Sequence, residues 1–169
     1  MEIGLIGLGK MGWNLMQNML DNGIGVVATD IDKDVLDAAG KTSARVANNI
    51  KELVSYLSNG CKIVWVMVPA GLPVKKTIVE LKELLSDDDI VIDGGNSYYK
   101  DSLENYSNLK EKNIHFFDCG TSGGKSGARK NGNFMIGGDQ EKFSTIEPIF
   151  KKIAAPNGYL YTGAIFLNI

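Results

Sequence analysis

The stretch Glu2-Ile3-Gly4-Leu5-Ile6-Gly7-Leu8-Gly9-Lys10-Met11-Gly12 decides the fold. A short, mostly apolar run over 2–6 reads as a first strand. Met11, Leu15, Met16 and Met19 then recur at helical spacing. At the junction sit three glycines in the G-x-G-x-x-G pattern. In that context Gly7 makes a tight turn, Gly9 lets a pyrophosphate approach the backbone, and Gly12 lets the helix lie close to the strand. Unpaired amides at the helix start then face the anion. A glycine loop with a purely structural role is the alternative.

Working outward, strand-like runs alternate with helical patterns, which argues for βαβ units and a parallel sheet. Asp21-Asn22-Gly23 stops the first helix, and Val26-Val27-Ala28-Thr29 is a second strand ending at Asp30. Further strands are expected at 62–68, closed by Pro69, at 90–92, at 114–118 and at 133–136. Helices are expected at 32–39, 49–57, 72–85 (with Pro73 at a tolerated early position), 99–112 and 140–153. Pro148 cannot donate an interior hydrogen bond, so a kink or two short helices are expected there. The pattern defines an α/β, Rossmann-type, doubly wound and mainly parallel sheet in a single domain over 1–163.

The bulk numbers fit such a domain. The 169 residues are 44% hydrophobic and 22% charged, with a net charge of −2, which is ordinary for a globular chain able to bury a core. No Lys/Arg stripe points to nucleic acid. No run is long enough to span a bilayer and no secretory signal is evident, so a cytoplasmic protein is expected. Cys61 and Cys119 read as two buried, reduced thiols without ligands for a metal site. His115 lies inside a strand pattern and reads as a structural histidine.

Asp30 stands at the end of the second strand, eighteen residues after Gly12. A carboxylate there accepts hydrogen bonds from the adenosine ribose hydroxyls. Asp30-Ile31-Asp32 includes no arginine, and Lys33 is the nearby cation, so a 2′-phosphate would meet repulsion. NAD is therefore expected over NADP, with NADP still possible. Helix capping is the competing role for an aspartate here, and Asp32 suits it.

Two more glycine clusters follow strands at the same sheet edge. Asp93-Gly94-Gly95-Asn96-Ser97 offers Asn96, whose donors and acceptors can bridge the nicotinamide ribose and a substrate hydroxyl. Gly120-Thr121-Ser122-Gly123-Gly124 exposes amides that can cradle a carboxylate or phosphate, with the Ser122 hydroxyl beside them. Val68-Pro69-Ala70-Gly71 either packs on the dinucleotide or is an ordinary turn. Each cluster alone fits a plain turn as well. Three on one edge make a small polar substrate beside a dinucleotide the economical reading.

Gly7-Leu8-Gly9-Lys10-Met11-Gly12-Trp13-Asn14, Ile92-Asp93-Gly94-Gly95-Asn96-Ser97-Tyr98-Tyr99 and Ser122-Gly123-Gly124-Lys125-Ser126-Gly127-Ala128-Arg129 resemble the amino-terminal domain of decarboxylating 6-phosphogluconate dehydrogenases. The related hydroxyisobutyrate-type dehydrogenases share the first and third motifs and usually lack the second. The resemblance implies that Gly7, Leu8, Gly9, Lys10, Met11, Gly12, Asp30 and Ile31 touch the dinucleotide, with Val68, Pro69 and Ala70 beside it. It places Asn96, Ser122, Gly123 and Gly124 at substrate. The aspartate at position 30 is similar to the NAD-preferring branch. Lys125-Ser126 departs from the acidic residues common in the family, and Lys125 belongs to the wrong motif to be the catalytic lysine.

The family reaction implied is hydride transfer from the 3-hydroxyl of 6-phosphogluconate, then decarboxylation to ribulose 5-phosphate. It uses a lysine base and a glutamate acid from a following Lys-x-x-His-Asn-type helix, which no segment here matches. Ala164-Ile165-Phe166-Leu167-Asn168-Ile169 reads instead as an atypical apolar tail, and the family's helical domain is absent. A truncated piece or an interrupted gene is expected, inactive on its own. The alternatives are a non-catalytic dinucleotide-binding module, or the cofactor domain of another β-hydroxyacid dehydrogenase. Apolar surface over 159–169 favours self-association into a homo-oligomer.

Overall fold

The computed structural model describes residues 1–58 and 60–163. Strands β1 (Glu2–Ile6), β2 (Gly25–Thr29), β3 (Arg45–Val46), β4 (Ile63–Val66), β5 (Ile90–Asp93), β6 (His115–Ser122), β7 (Gly132–Gly138) and β8 (Ala154–Gly163) form one sheet. Its order is β3-β2-β1-β4-β5-β6-β7-β8. Every neighbouring pair is parallel except β6 with β7. The helices are α1 (Lys10–Asp21), α2 (Lys33–Ala39), α3 (Ile50–Tyr56), α4 (Leu72–Leu84), α5 (Tyr99–Lys110), α6 (Gly124–Arg129) and α7 (Gln140–Ile153). The fold is Rossmann-type, as the sequence indicates.

Alternate residues of the central strands feed two cores, which is why those strands read as unbroken apolar runs. Trp65 of β4 and Ile92 of β5 join Leu15 and Met16 of α1 and Phe150 of α7 on one face. Val64, Val66 and Val91 join Leu53 of α3, Ile78 of α4 and Leu109 of α5 on the other. Asn18 is buried on α1. Its side-chain amide donates to the carbonyls of Ala128 (3.1 Å) and Ile153 (3.0 Å), tying α1 to α6 and to the end of α7. Asp32 caps α2 by accepting from the amides of Asp34 and Val35, as expected of it.

Four expectations need correction. The run expected at 114–118 extends to Ser122, because antiparallel pairing with β7 satisfies the backbone of Phe117 through Ser122 despite its glycine. Gly120, Thr121 and Ser122 are therefore strand, and Gly123 (φ 96°) makes the turn into α6. Of the two alternatives at Pro148, two short helices are overturned: α7 runs as one helix with the proline inside it. Cys61 is exposed, at the start of β4's approach, while Cys119 is buried; both are free thiols. Residues 154–163 form an edge strand, in which Tyr159 and Tyr161 pack on the core and Leu160 stays exposed. The apolar stretch 164–169 lies outside the described residues.

Gly12 is where sequence constrains packing most tightly. A Cβ there would sit 2.0 Å from the Gly7 carbonyl oxygen, which is backbone and cannot swing away. Gly12→Ala is expected to destabilise the domain by about 1–3 kcal/mol, as overpacking does. Gly9→Ala meets nothing within 4 Å and should leave stability unchanged. Thermal melts of the two variants check this; equal melting temperatures would refute it.

Candidate functional site

The carboxyl ends of β1, β2, β4, β5 and β6 open onto one cleft of about 1550 Å³. Backbone bonds continue the ladders past the strand ends and fix its rim. Gly7 N–H donates to Thr29 O (2.9 Å), Met67 N–H to Ile6 O (2.7 Å), and Gly94 N–H to Val66 O (2.8 Å). Crevices at such ends are where open α/β sheets bind ligands.

Gly7, Gly9, Lys10 and Met11 line the cleft together. Gly7 (φ 94°) makes the turn off β1, and a Cβ on it would lie 2.8 Å from Met67 O. Gly9 borders open space, so the packing of the chain does not itself demand a glycine there. Leu8 is buried, and its amide donates to Asp30. The other Asp30 oxygen accepts from Asp32 N–H at 2.9 Å. Each carboxylate oxygen thus has one backbone donor and one lone-pair direction spare. Asp30 also ties the end of β2 to the glycine loop.

Ile31, Val68, Pro69 and Asn96 also line the cleft. Ile31 is fully exposed at the mouth of the cleft. Gly12 and Ala70 stand outside the lining; Gly12 acts through its contact with Gly7. Ser122, Gly123 and Gly124 are exposed beyond Thr121, at the cleft's inner end but not in its wall.

The loop after β5 is held by a carboxylate the sequence did not single out. Asp93 is fully buried and accepts from the Ser97 hydroxyl (2.7 Å) and the Gly95 amide (2.9 Å). This staple carries Asn96 in a left-handed conformation (φ 58°) at the rim. A Cβ on Gly94 would come within 2.5 Å of Trp65 Nε1 and Met67 Sδ, so the loop packs directly on β4. Burial pushes the Asp93 carboxyl above its ordinary value, and its two hydrogen bonds pull it back only in part.

Other cleft residues were missed. Pro73, Lys76, Thr77 and Glu80 share one face of α4, a spacing of three, four and seven that marks a single helix side. Asn48 and Asn49 follow β3, whose two residues give no periodicity to read. Cys119 and Thr121 enter because β6 extends past 118. The Cys119 thiol is held protonated by burial, with the Asp118 and Asp93 charges adding to the effect. His115 is remote from the cleft at the amino end of β6, buried between Asp139 (Nδ1, 2.9 Å) and Asp88 (Nε2, 3.3 Å). It is structural, as expected. Among the described residues no group of three or more His, Cys, Asp or Glu is placed to hold a metal, and no helix is long and apolar enough to cross a membrane.

A glycine loop between β1 and α1, an acidic end to β2 and a cleft across the sheet's carboxyl edge define a dinucleotide-binding domain of the oxidoreductase type. The chain belongs to the family of NAD-binding domains of 6-phosphogluconate dehydrogenase, whose pattern matches residues 2–164. YqeC of Bacillus subtilis is 44% identical over 163 residues, covering 96% of this chain and 54% of that protein. A Haloferax volcanii protein, named an NAD(+)-dependent, decarboxylating 6-phosphogluconate dehydrogenase, is 37% identical over 164 residues, again 96% and 54%. The chain thus spans about half the length of these two curated relatives. Among solved structures, the Plasmodium falciparum 6-phosphogluconate dehydrogenase, described with NADP+ and with 6-phosphogluconate, superposes with a TM-score of 0.90 at 28% identity. That match covers 98% of this chain and 37% of the other. A Mycobacterium tuberculosis 3-hydroxyisobutyrate dehydrogenase has the same fold, with a TM-score of 0.87 at 23% identity, covering 97% of this chain and 55% of that one.

Asp93 gives this site a pH signature. Its folded pKa is raised above the ordinary 3.8, so the folded state holds the proton more tightly than the unfolded state does. Its contribution to stability then falls as pH rises from about 4 toward the raised folded value. Asp93→Asn removes that slope. The stability of wild type relative to the variant should decline as pH rises above about 4; a pH-independent difference between the two denaturation profiles would contradict the assignment.

Proposed function

We propose that this domain binds NAD in an extended pose along the cleft and serves the oxidative decarboxylation of 6-phosphogluconate. The pyrophosphate lies over Gly7, Gly9, Lys10 and Met11, with Leu8 and Gly12 shaping the loop beneath it. Asp30 accepts from the adenosine ribose, Ile31 covers the adenine side, and Val68, Pro69 and Ala70 flank the middle of the cofactor. Asn96 reaches both the second ribose and the substrate, for which Ser122, Gly123 and Gly124 form the near wall.

The observation that carries this reading is the Asp30 carboxylate, fixed by two backbone amides at the cleft wall with acceptor capacity left over. Gly9 adds to it. The chain's own packing leaves its Cβ direction empty, and a closely approaching pyrophosphate explains why no side chain stands there. A 2′-phosphate beside Asp30 would face a like charge, which supports NAD over NADP. The Asp-Gly-Gly-Asn-Ser loop favours the sugar acid over hydroxyisobutyrate-type substrates.

Titration calorimetry should show NAD binding more tightly than NADP by about tenfold, equivalent to ~1.4 kcal/mol. Asp30→Asn should narrow that gap, and Gly9→Ala should weaken both cofactors without lowering the melting temperature. NADP binding as tight as NAD would overturn the role of Asp30.

The cleft's titratable lining groups, Lys10, Asp30, Lys33, Asp37, Lys76 and Glu80, come from the glycine loop and from β2, α2 and α4. At the inner end stand Asn96, the protonated Cys119 and Thr121. None of these three supplies a base for a substrate hydroxyl. The purified chain is therefore expected to bind NAD without forming NADH from 6-phosphogluconate. Sustained, substrate-dependent absorbance at 340 nm would refute that expectation, and the reading as a non-catalytic binding module with it.

A further inference from the structure

Two buried side-chain polar atoms near the ends of β4 and β6 have no hydrogen-bond partner among the described residues: Trp65 Nε1 and the Thr121 hydroxyl. Their surroundings differ. Trp65 is wholly buried, its ring packed against Phe134 (6.2 Å between centroids) and Phe150 (5.5 Å), and Gly94 closes over its nitrogen. Trp65 does not line the cleft. Thr121 does line it. It pairs directly opposite Phe134 in the β6–β7 ladder, which places it over the aromatic cluster at the cleft's inner end.

A hydroxyl taken from water without a partner is penalised, and native structures rarely leave one so. Thr121 is only partly covered as a residue. One step about χ1 carries its hydroxyl to another staggered position, so the hydroxyl can turn toward a group entering the cleft. The protein offers little competition for it. Gly94, Gly95 and Gly120 line this end without side chains, and the Cys119 thiol is a weak, neutral donor.

Geometry narrows what that entering group is. With the pyrophosphate on the glycine loop and the first ribose at Asp30, the second nucleoside reaches the ends of β5 and β6. Asn96 is placed for its ribose. The base then meets the wall formed by Cys119, Gly120 and Thr121. A nicotinamide ring has one polar substituent, a carboxamide that both donates and accepts, and a threonine hydroxyl can do both in return.

We propose that the Thr121 hydroxyl is the hydrogen-bond partner of the nicotinamide carboxamide, and so a positioning residue that sets the orientation of the ring. The inference rests on the dinucleotide reading given above.

The test compares wild type, Thr121→Val and Thr121→Ser in the full 169-residue chain. NADH affinity is read by fluorescence, and affinity for ADP-ribose, which lacks the nicotinamide, by calorimetry. Thr121→Val should weaken NADH roughly five- to tenfold, the loss of one net hydrogen bond. ADP-ribose binding should not change, and Thr121→Ser should restore NADH binding to within about twofold of wild type. The unliganded Thr121→Val chain should melt at or above wild type, because it loses a hydroxyl that nothing satisfies. Unchanged NADH affinity in Thr121→Val, or parallel loss of NADH and ADP-ribose, would overturn the proposal. So would a lower melting temperature, which would mean that the hydroxyl has a structural partner. If wild type binds neither ligand, the dinucleotide reading falls and this proposal with it; if wild type binds both, the Thr121 result stands on its own.

Discussion

The approach of the α1 backbone to the turn after β1 is the constraint on which the rest of the site depends. Gly12 lies so close to the Gly7 carbonyl that no side chain fits between them. That contact seats the start of α1 against the sheet. Leu8 can then reach across to Asp30, and the loop, the end of β2 and the strap leaving β4 become one surface. A wider gap would move the amides at the helix start away from the cleft and release Asp30 from its donor. The contact is local in sequence, but its consequences extend across five strands.

Two of the three glycines of that motif, Gly9 and Gly12, are constrained in opposite ways. At Gly12 the requirement comes from the folded chain itself. At Gly9 the chain imposes none, and the space beside it stays open to the cleft. Residues of one type, three positions apart, therefore differ in what constrains them: at Gly12 the packed backbone, at Gly9 nothing in the folded chain. Asp93 adds a third kind of constraint. Its buried carboxylate is electrostatically unfavourable, and its two hydrogen bonds hold Asn96 at the rim in a backbone conformation that few side chains adopt.

The order of strands and helices was legible because apolar period and glycine punctuation agree along most of the chain. Helix α1 kept its expected stripe except for Met11, which turns to the cleft instead of the core. What escaped the sequence depended on distant partners. β3 is two residues long and exists only as a ladder with β2. Gly120 through Ser122 look like a loop until β7 pairs with them. β8 contains Pro156 and Gly158 and is held by one neighbour, with two register shifts. The site divides in the same way. The glycine loop and Asp30 announce themselves, whereas the α4 face and Thr121 enter the cleft only through tertiary placement.

Asn18 shows how far such placement reaches. It sits on the helix that begins at the glycine loop, yet its amide satisfies carbonyls 110 and 135 residues downstream, and its own carbonyl oxygen accepts from Asn22. Leucine is close to it in size, but would strand two main-chain acceptors in an apolar interior, and aspartate would set its charge against them. The position thus acts as a checksum on the chain: a neighbour on α1 cannot repair its loss, because the groups left unpaired belong to segments built much later in the sequence.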